Sequence, residues 1–342
     1  MRIVNLIENT EGVKGCAYAH GLSFYIETAR HKLLVDLGPS GETLDNAKKL
    51  GIDLSAVDTV ILSHGHYDHS GGIMPFSGIN VKAVIYMQRL ATGEYYADDG
   101  AGAQAPEGGD GAAGSGKPGD DTDCGRYHYI GIDKDIAGLP QVKFIDGDCR
   151  IDDELSLFTI SKRAGDVPFT NARLKEKTGE DYIPDEFRHE QYLVIEDNGR
   201  KVLISGCAHN GMVNIIEEYH AKYGGYPDAV ISGFHLMKKS DYTDDELGEI
   251  IDTAHALKKY PTMFYSCHCT GIPAYRVMKN IMHDKLDYVH SGQELSVRYI
   301  NNAGTTGTAS KRRNTFMKCH KFFAWATVIC FLLTMITGYE RK

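Results

Sequence analysis

The sequence predicts an α/β protein in which two mixed β-sheets are sandwiched between helices, an αββα arrangement. Three observations lead there. Apolar strand-like runs recur along most of the chain. Helical stretches alternate with them. Histidine- and cysteine-bearing segments fall where the strands end.

The elements follow in order. Residues 3–7 and 22–27 are β-like, and 31–36 form a strand that ends at Gly38. Residues 43–50 read as a short helix, with Leu44, Ala47 and Leu50 in rough helical rhythm. Residues 57–62 make the strand that delivers a histidine-rich loop, and 81–86 make the next. Strands resume at 141–145, 157–160 and 192–196. Asn198-Gly199 between two apolar runs is a hairpin signal leading into the strand 201–205. Residues 212–223 are helical and 228–232 are a strand. Residues 243–259 are helical, with Asp244, Asp245 and Glu246 in the first turn and lysines at the end, matching the helix dipole. Residues 262–265 lead to His268.

Hydrophobic residues are 42% and charged residues 24% of the chain, as in ordinary globular proteins. The net charge of −9 gives no basic stripe for nucleic acid, so no nucleic-acid partner is expected. Eight cysteines form no regular disulfide framework, and the start is no signal peptide, so a cytoplasmic setting is expected. Three segments depart from the body at residues 1–300. Residues 98–123 are rich in Gly, Ala and Asp, and read as a disordered insertion because they cannot bury enough to offset ordering entropy. Residues 301–321 form a basic linker. Residues 322–339 are apolar and uncharged, a candidate membrane anchor that would tether a cytoplasmic catalytic domain.

The richest chemistry lies in Ser63-His64-Gly65-His66-Tyr67-Asp68-His69-Ser70-Gly71-Gly72. Imidazoles and a carboxylate at this density suit zinc or a similar divalent ion. His64 and His66 alternate, so in extended backbone they point the same way, while Asp68 and His69 follow after a turn and could hold a second ion.

This H-x-H-x-D-H signature resembles the metallo-β-lactamase superfamily. The phrases Leu34-Val35-Asp36-Leu37-Gly38, Ser205-Gly206-Cys207-Ala208-His209, Ser232-Gly233-Phe234-His235 and His268-Cys269-Thr270-Gly271 resemble one branch of it, named for dihydropterin-ribofuranosylaminobenzene-phosphate synthase. The resemblance implies the metallo-β-lactamase-like αββα sandwich and two divalent metal ions, Zn2+ first, with Mn2+ or Fe2+ as alternatives. It implies ligands at His64, His66, Asp68 and His69, a late ligand at His268, and an Asp-or-Cys position filled by Cys207. His189 and His209 compete for a third-motif histidine. His235 is expected to face substrate, Asp36 to orient a ligating histidine, and Asp68 to take the catalytic proton role. Tyr67, Phe76, Tyr86, Arg163 and Arg173 are available for an aromatic slot or a phosphate.

The expected activity is hydrolysis of a small phosphorylated or ester-like metabolite by a metal-bridging hydroxide. The alternatives are a synthase-type condensation on the same site, and a non-catalytic metal-binding protein. The intact Asp68 argues against the last. Cys267-His268-Cys269 lacks a second pair at zinc-finger spacing.

Overall fold

Two seven-stranded sheets lie face to face. In the first, the spatial order is Glu294–Leu295, Arg2–Ile7, Ser23–Glu27, Lys32–Val35, Thr59–Ile61, Val84–Gln88 and Val142–Ile145. In the second it is Leu286–Tyr288, Met263–Ser266, Ala229–Ser232, Arg200–Ile204, Tyr192–Asp197, Leu155–Phe158 and Cys149–Arg150. Both sheets mix antiparallel hairpins with a parallel run. The computed structural model describes residues 1–100 and 125–300, with a short strand at Thr306–Thr308.

Period-2 alternation builds the layers. Ile3, Phe24, Ile26, Leu33, Val35 and Ile61 of the first sheet point at Leu157, Leu193, Ile195, Val202, Ile204 and Ile231 of the second. Their neighbours Val4, Tyr25, Leu34 and Val60 face outward, against the helices Glu42–Lys49 and Ile73–Ile79. Val194, Leu203, Val230 and Phe264 likewise meet Met212–Tyr223, Asp244–Lys258 and Ile272–Met282. Strands buried on both faces are continuous apolar runs, which is why they were readable in the sequence. Each such side chain contributes about 1.5–3 kcal/mol on burial. The helix Asp244–Lys258 starts in a capping box between Thr243 and Glu246.

The expected strands and helices appear within a few residues of their expected bounds. A third, four-stranded sheet does not follow from the sequence reading: Asp181–Pro184, Leu174–Thr178, Tyr95–Asp98 and Tyr127–Tyr129. The strand Tyr95–Asp98 runs up to the expected insertion, where Asp98 pairs with Arg126 and Asp99 with Arg173. Residues 101–124, most of that insertion, lie outside the described residues, as do most of 301–321 and all of 322–339. Among the described residues no helix is long and apolar enough to cross a membrane.

The topology decides where polar residues gather. Lys32–Val35 and Thr59–Ile61 run parallel, as do Arg200–Ile204, Ala229–Ser232 and Met263–Ser266. Their C-terminal ends share one edge of the sandwich, the usual place for a site in an α/β sheet. Asp36, Ser63, Cys207, His235 and His268 all lie just past such an end.

Candidate metal centre

The histidine-rich loop is held in place before it presents anything. Asp36 lies buried at φ +59° and accepts from Ser63 N–H (2.7 Å) and Ser63 Oγ–H (2.7 Å). Gly65 lets the loop pass close to its neighbour, since a Cβ there would sit 2.5 Å from the Ala91 carbonyl oxygen. Gly206 is similarly required, because a Cβ would meet Ser63 Oγ at 2.2 Å. His66 is extended and caps the one-turn helix Tyr67–Ser70, which carries Asp68 and His69.

Four histidines share one construction. Ser63 Oγ gives its hydrogen to Asp36, so it accepts from His64 Nδ1–H (2.8 Å). His69 Nδ1–H donates to Asp36 Oδ2 (2.6 Å). His209 Nδ1–H donates to Asn171 Oδ1 (3.1 Å), while Asn171 Nδ2 returns a bond to the His209 carbonyl. His268 Nδ1–H donates to Asn9 Oδ1 (2.7 Å). In each case the proton sits on Nδ1 and the Nε2 lone pair is bare.

Those bare nitrogens converge. His64 Nε2 and His209 Nε2 face each other at 3.3 Å, and His69 Nε2 lies 3.1 Å from Cys207 Sγ. His268 Nε2 is buried without a hydrogen-bond partner, 3.2 Å from Asp68 Oδ2. His66 Nε2 is also buried without a partner. Donor atoms of His64, Cys207 and His209 fall within 4.8 Å of one another, and so do those of His69, Cys207 and His268. Two donor triads therefore share Cys207, and Asp68 joins the second through His268. Facing lone pairs and orphaned buried nitrogens are costly in a protein interior unless something electrophilic lies among them. The residues present fit divalent ions.

Electrostatics agree. Burial, then the neighbouring imidazoles, hold His64 and His209 well below the ordinary histidine value, and lower His66 to about 3. These rings stay neutral, as ligands must. Burial would raise Asp68, but His69 and His268 outweigh it and keep the carboxylate charged. Burial would lower His69, but Asp36 and Asp68 overcome it and raise it, so a cation at Nε2 would have to compete with a second proton there. Burial and the Cys269 thiol push Cys207 well up, so a cation at Sγ would have to displace its proton.

Of the expected histidine ligands, His66 and His189 fall outside the two Cys207 triads, and it is His189 that is tied up by protein. Its Nδ1 accepts from Gly65 N–H (2.9 Å) and its Nε2 faces Asp185 (3.0 Å), so both ring nitrogens are committed to protein. It forms a separate group with His66 and Asp185 under the ring of Tyr95. His235 lies against His209, with ring centroids 4.1 Å apart, and is tied to Thr170. Of the residues available for an aromatic slot, Phe76 and Tyr86 are buried in the core. Arg163 is spent on Asn210 and the Glu186 carbonyl, and Arg173 on Asp99.

Several residues that hold the site carry no motif. Glu8 accepts from His268 N–H (3.0 Å) and Tyr288 O–H (3.0 Å). Glu190 accepts from the backbone of His209 and Asn210 and from Tyr192 O–H. His20 reaches Asp68 from the exposed side, at 3.5 Å. Glu8 and Asn9 directly follow the strand Arg2–Ile7 at the same edge, and that position was their one readable signal.

Residues 19–148 match the family model for the metallo-beta-lactamase superfamily. The uncharacterized protein MJ0448 of Methanocaldococcus jannaschii is 27% identical over 304 residues, spanning 85% of this chain and 98% of that relative. From the same organism, 7,8-dihydropterin-6-methyl-4-(beta-D-ribofuranosyl)-aminobenzene-5'-phosphate synthase is 27% identical over 303 residues, spanning 86% and 95%. The crystal structure of Tm1679, described as a metal-dependent hydrolase of the beta-lactamase superfamily, superposes with a TM-score of 0.67 at 28% identity. That match covers 87% of this chain and 99% of Tm1679.

Proposed function

Because the chain carries a metallo-β-lactamase superfamily domain, we propose that it is a metal-dependent hydrolase of a small phosphorylated or ester-like metabolite, using two divalent ions, zinc in the first place. The observation that carries this reading is the pair of donor triads sharing Cys207, with every triad histidine anchored at Nδ1 and bare at Nε2.

His64, His66 and His209 would hold one ion, and His69, His268 and Asp68 the other, with Cys207 between them. Ions so held supply Lewis acidity, which activates water near neutral pH and polarises a substrate oxygen. The chain's own residues do the rest. Asp36, Asn171 and Asn9 fix the imidazole tautomers. Asp68 keeps a charged carboxylate oxygen at the centre, able to take a proton. His235, beside His209, faces the substrate. Tm1679 supports the hydrolase reading through its description. The synthase relative supports a second reading, a condensation at the same centre.

The test is metal content and turnover of the full chain, wild type against Asp68→Ala and Cys207→Ala. Wild type is expected to hold roughly two ions and to hydrolyse chromogenic phosphate or carboxylic esters. Asp68→Ala should fall toward about one ion and lose roughly 100-fold or more in rate. Wild type without tightly bound metal would sink the two-ion reading. Two ions with condensation but no ester hydrolysis would favour the synthase.

A further inference from the structure

One amide sets two histidines to opposite tautomers around Asp68. Asn9 Oδ1 accepts from His268 Nδ1–H (2.7 Å) and from the backbone Gly21 N–H (3.4 Å). A backbone N–H cannot reverse its role, so the oxygen side of the amide is fixed. Asn9 Nδ2 therefore points the other way, toward His20 Nδ1 at 3.2 Å and Met237 Sδ at 3.5 Å. Nδ1 of His20 must accept, and its proton sits on Nε2. His268 has the reverse arrangement. The two rings pack 4.9 Å apart, one offering a lone pair and the other an N–H.

The His20 N–H is not spent on the protein. Its one facing acceptor, Asp68 Oδ2, lies 3.5 Å away, at the outer limit of hydrogen bonding. The His20 side chain is 46% exposed, whereas the Asp68 and His268 side chains beside it are 9% and 0% exposed. His20 is thus the histidine of this cluster that opens to solvent. Lys239, exposed and without an ion pair among the described residues, is close enough to act on it electrostatically. An N–H donor at the exposed side of the centre, with the Lys239 charge acting on it, favours an anionic oxygen over a neutral carbonyl.

We propose that His20 is a further substrate-contacting residue, whose Nε2–H, oriented by Asn9, binds an oxyanion of the substrate, of phosphate type, at the exposed side of the metal centre. This rests on the hydrolase reading for the word substrate, but not for the oxyanion contact itself.

The probe is inorganic phosphate, titrated calorimetrically into the zinc-loaded full chain, with metal content measured in parallel. His20→Ala is expected to weaken phosphate binding about 10–100-fold, the loss of one hydrogen bond to a charged group, with metal content unchanged. His20→Gln, whose amide N–H reaches a similar position, should recover most of the affinity. Unchanged phosphate affinity in His20→Ala overturns the proposal. So does the loss of an ion, which would make His20 a ligand, and so does a wild type that binds no phosphate. If phosphate binding depends on His20 but no ester is hydrolysed, the contact stands and the hydrolase reading fails. If esters are hydrolysed and His20→Ala leaves both KM and phosphate affinity unmoved, only the contact fails.

Discussion

His69 and His31 are both held by aspartates, at opposite ends of the sandwich, and they serve different purposes. His31 has both ring nitrogens committed, Nδ1 to Asp58 (2.8 Å) and Nε2 to Asp152 (2.7 Å). Asp58 precedes a strand of the first sheet and Asp152 sits between two strands of the second, so His31 clasps the layers together. His69 commits Nδ1 alone, to Asp36, and leaves Nε2 toward Cys207. One carboxylate makes a ligand ready for a cation, whereas two make a structural cross-link. The count of committed nitrogens separates the two uses more reliably than burial or the presence of an aspartate.

The sharpest way to break the comparison is at Asp36. Asp36→Ala removes the acceptor for Ser63 N–H, Ser63 Oγ–H and His69 Nδ1–H together. Denaturant unfolding should show a loss of about 3–5 kcal/mol, the usual cost of breaking a buried charged network. Metal affinity should fall about 10–100-fold. Asp36→Asn sharpens the point. Its amide N–H would face the His69 ring and force the proton onto Nε2. Metal affinity should then fall by a similar factor with a smaller stability loss, about 1–2 kcal/mol. If Asp36→Asn binds metal like wild type, tautomer control is not what Asp36 does.

The next effect in size concerns His189, which has both nitrogens committed like His31 yet lies beside the centre. His189→Leu leaves Gly65 N–H without an acceptor and should cost about 1–3 kcal/mol. His189→Asn places a carboxamide oxygen near the old Nδ1 and should restore most of that stability. Metal analysis is expected to find both variants loaded like wild type. A drop of one ion in His189→Asn would make His189 a ligand and end its likeness to His31.

What the sequence disclosed follows the same physics. His64, His66, Asp68 and His69 stand within six residues after an apolar strand, so local spacing reports them. Cys207 and His268 are legible because each follows a buried apolar run, Val202-Leu203-Ile204 and Met263-Phe264-Tyr265. Which of His189 and His209 joins His64 and Cys207 in one donor group is not legible, since each lies next to a strand. It turns on Asn171 and Gly65, partners far away in sequence. Asn9 is invisible for the same reason, meeting His268 across 259 positions. The four-stranded sheet is not legible because Leu174–Thr178 and Asp181–Pro184 are largely polar and half-exposed, with no alternation. The helix Ile272–Met282 is signalled in the sequence only by Gly271 and Pro273 at its start.

The smallest expected effect tests the structural member of the pair through pH. Burial would lower His31, but its bonds to Asp58 and Asp152 outweigh that and raise it above its ordinary 6.5. Burial would raise Asp152, but His31 and two backbone N–H groups lower it to about 2 from 3.8. A histidine raised on folding contributes stability that is complete below its unfolded value and lost as pH rises through the folded one. A carboxylate lowered on folding contributes above its unfolded value and loses that as pH falls through the folded one. The clasp should therefore be strongest between about pH 4 and pH 6.5, weakening on both sides. The measurement is the difference in unfolding free energy between wild type and His31→Ala from pH 3 to pH 9, which cancels titrations the two share. A difference that peaks in that window and shrinks toward pH 9, with metal content equal in both proteins, fits a doubly committed histidine with no part in the centre. A flat difference would mean that His31 packs between the sheets without carrying charge, and the contrast with His69 would then rest on geometry alone.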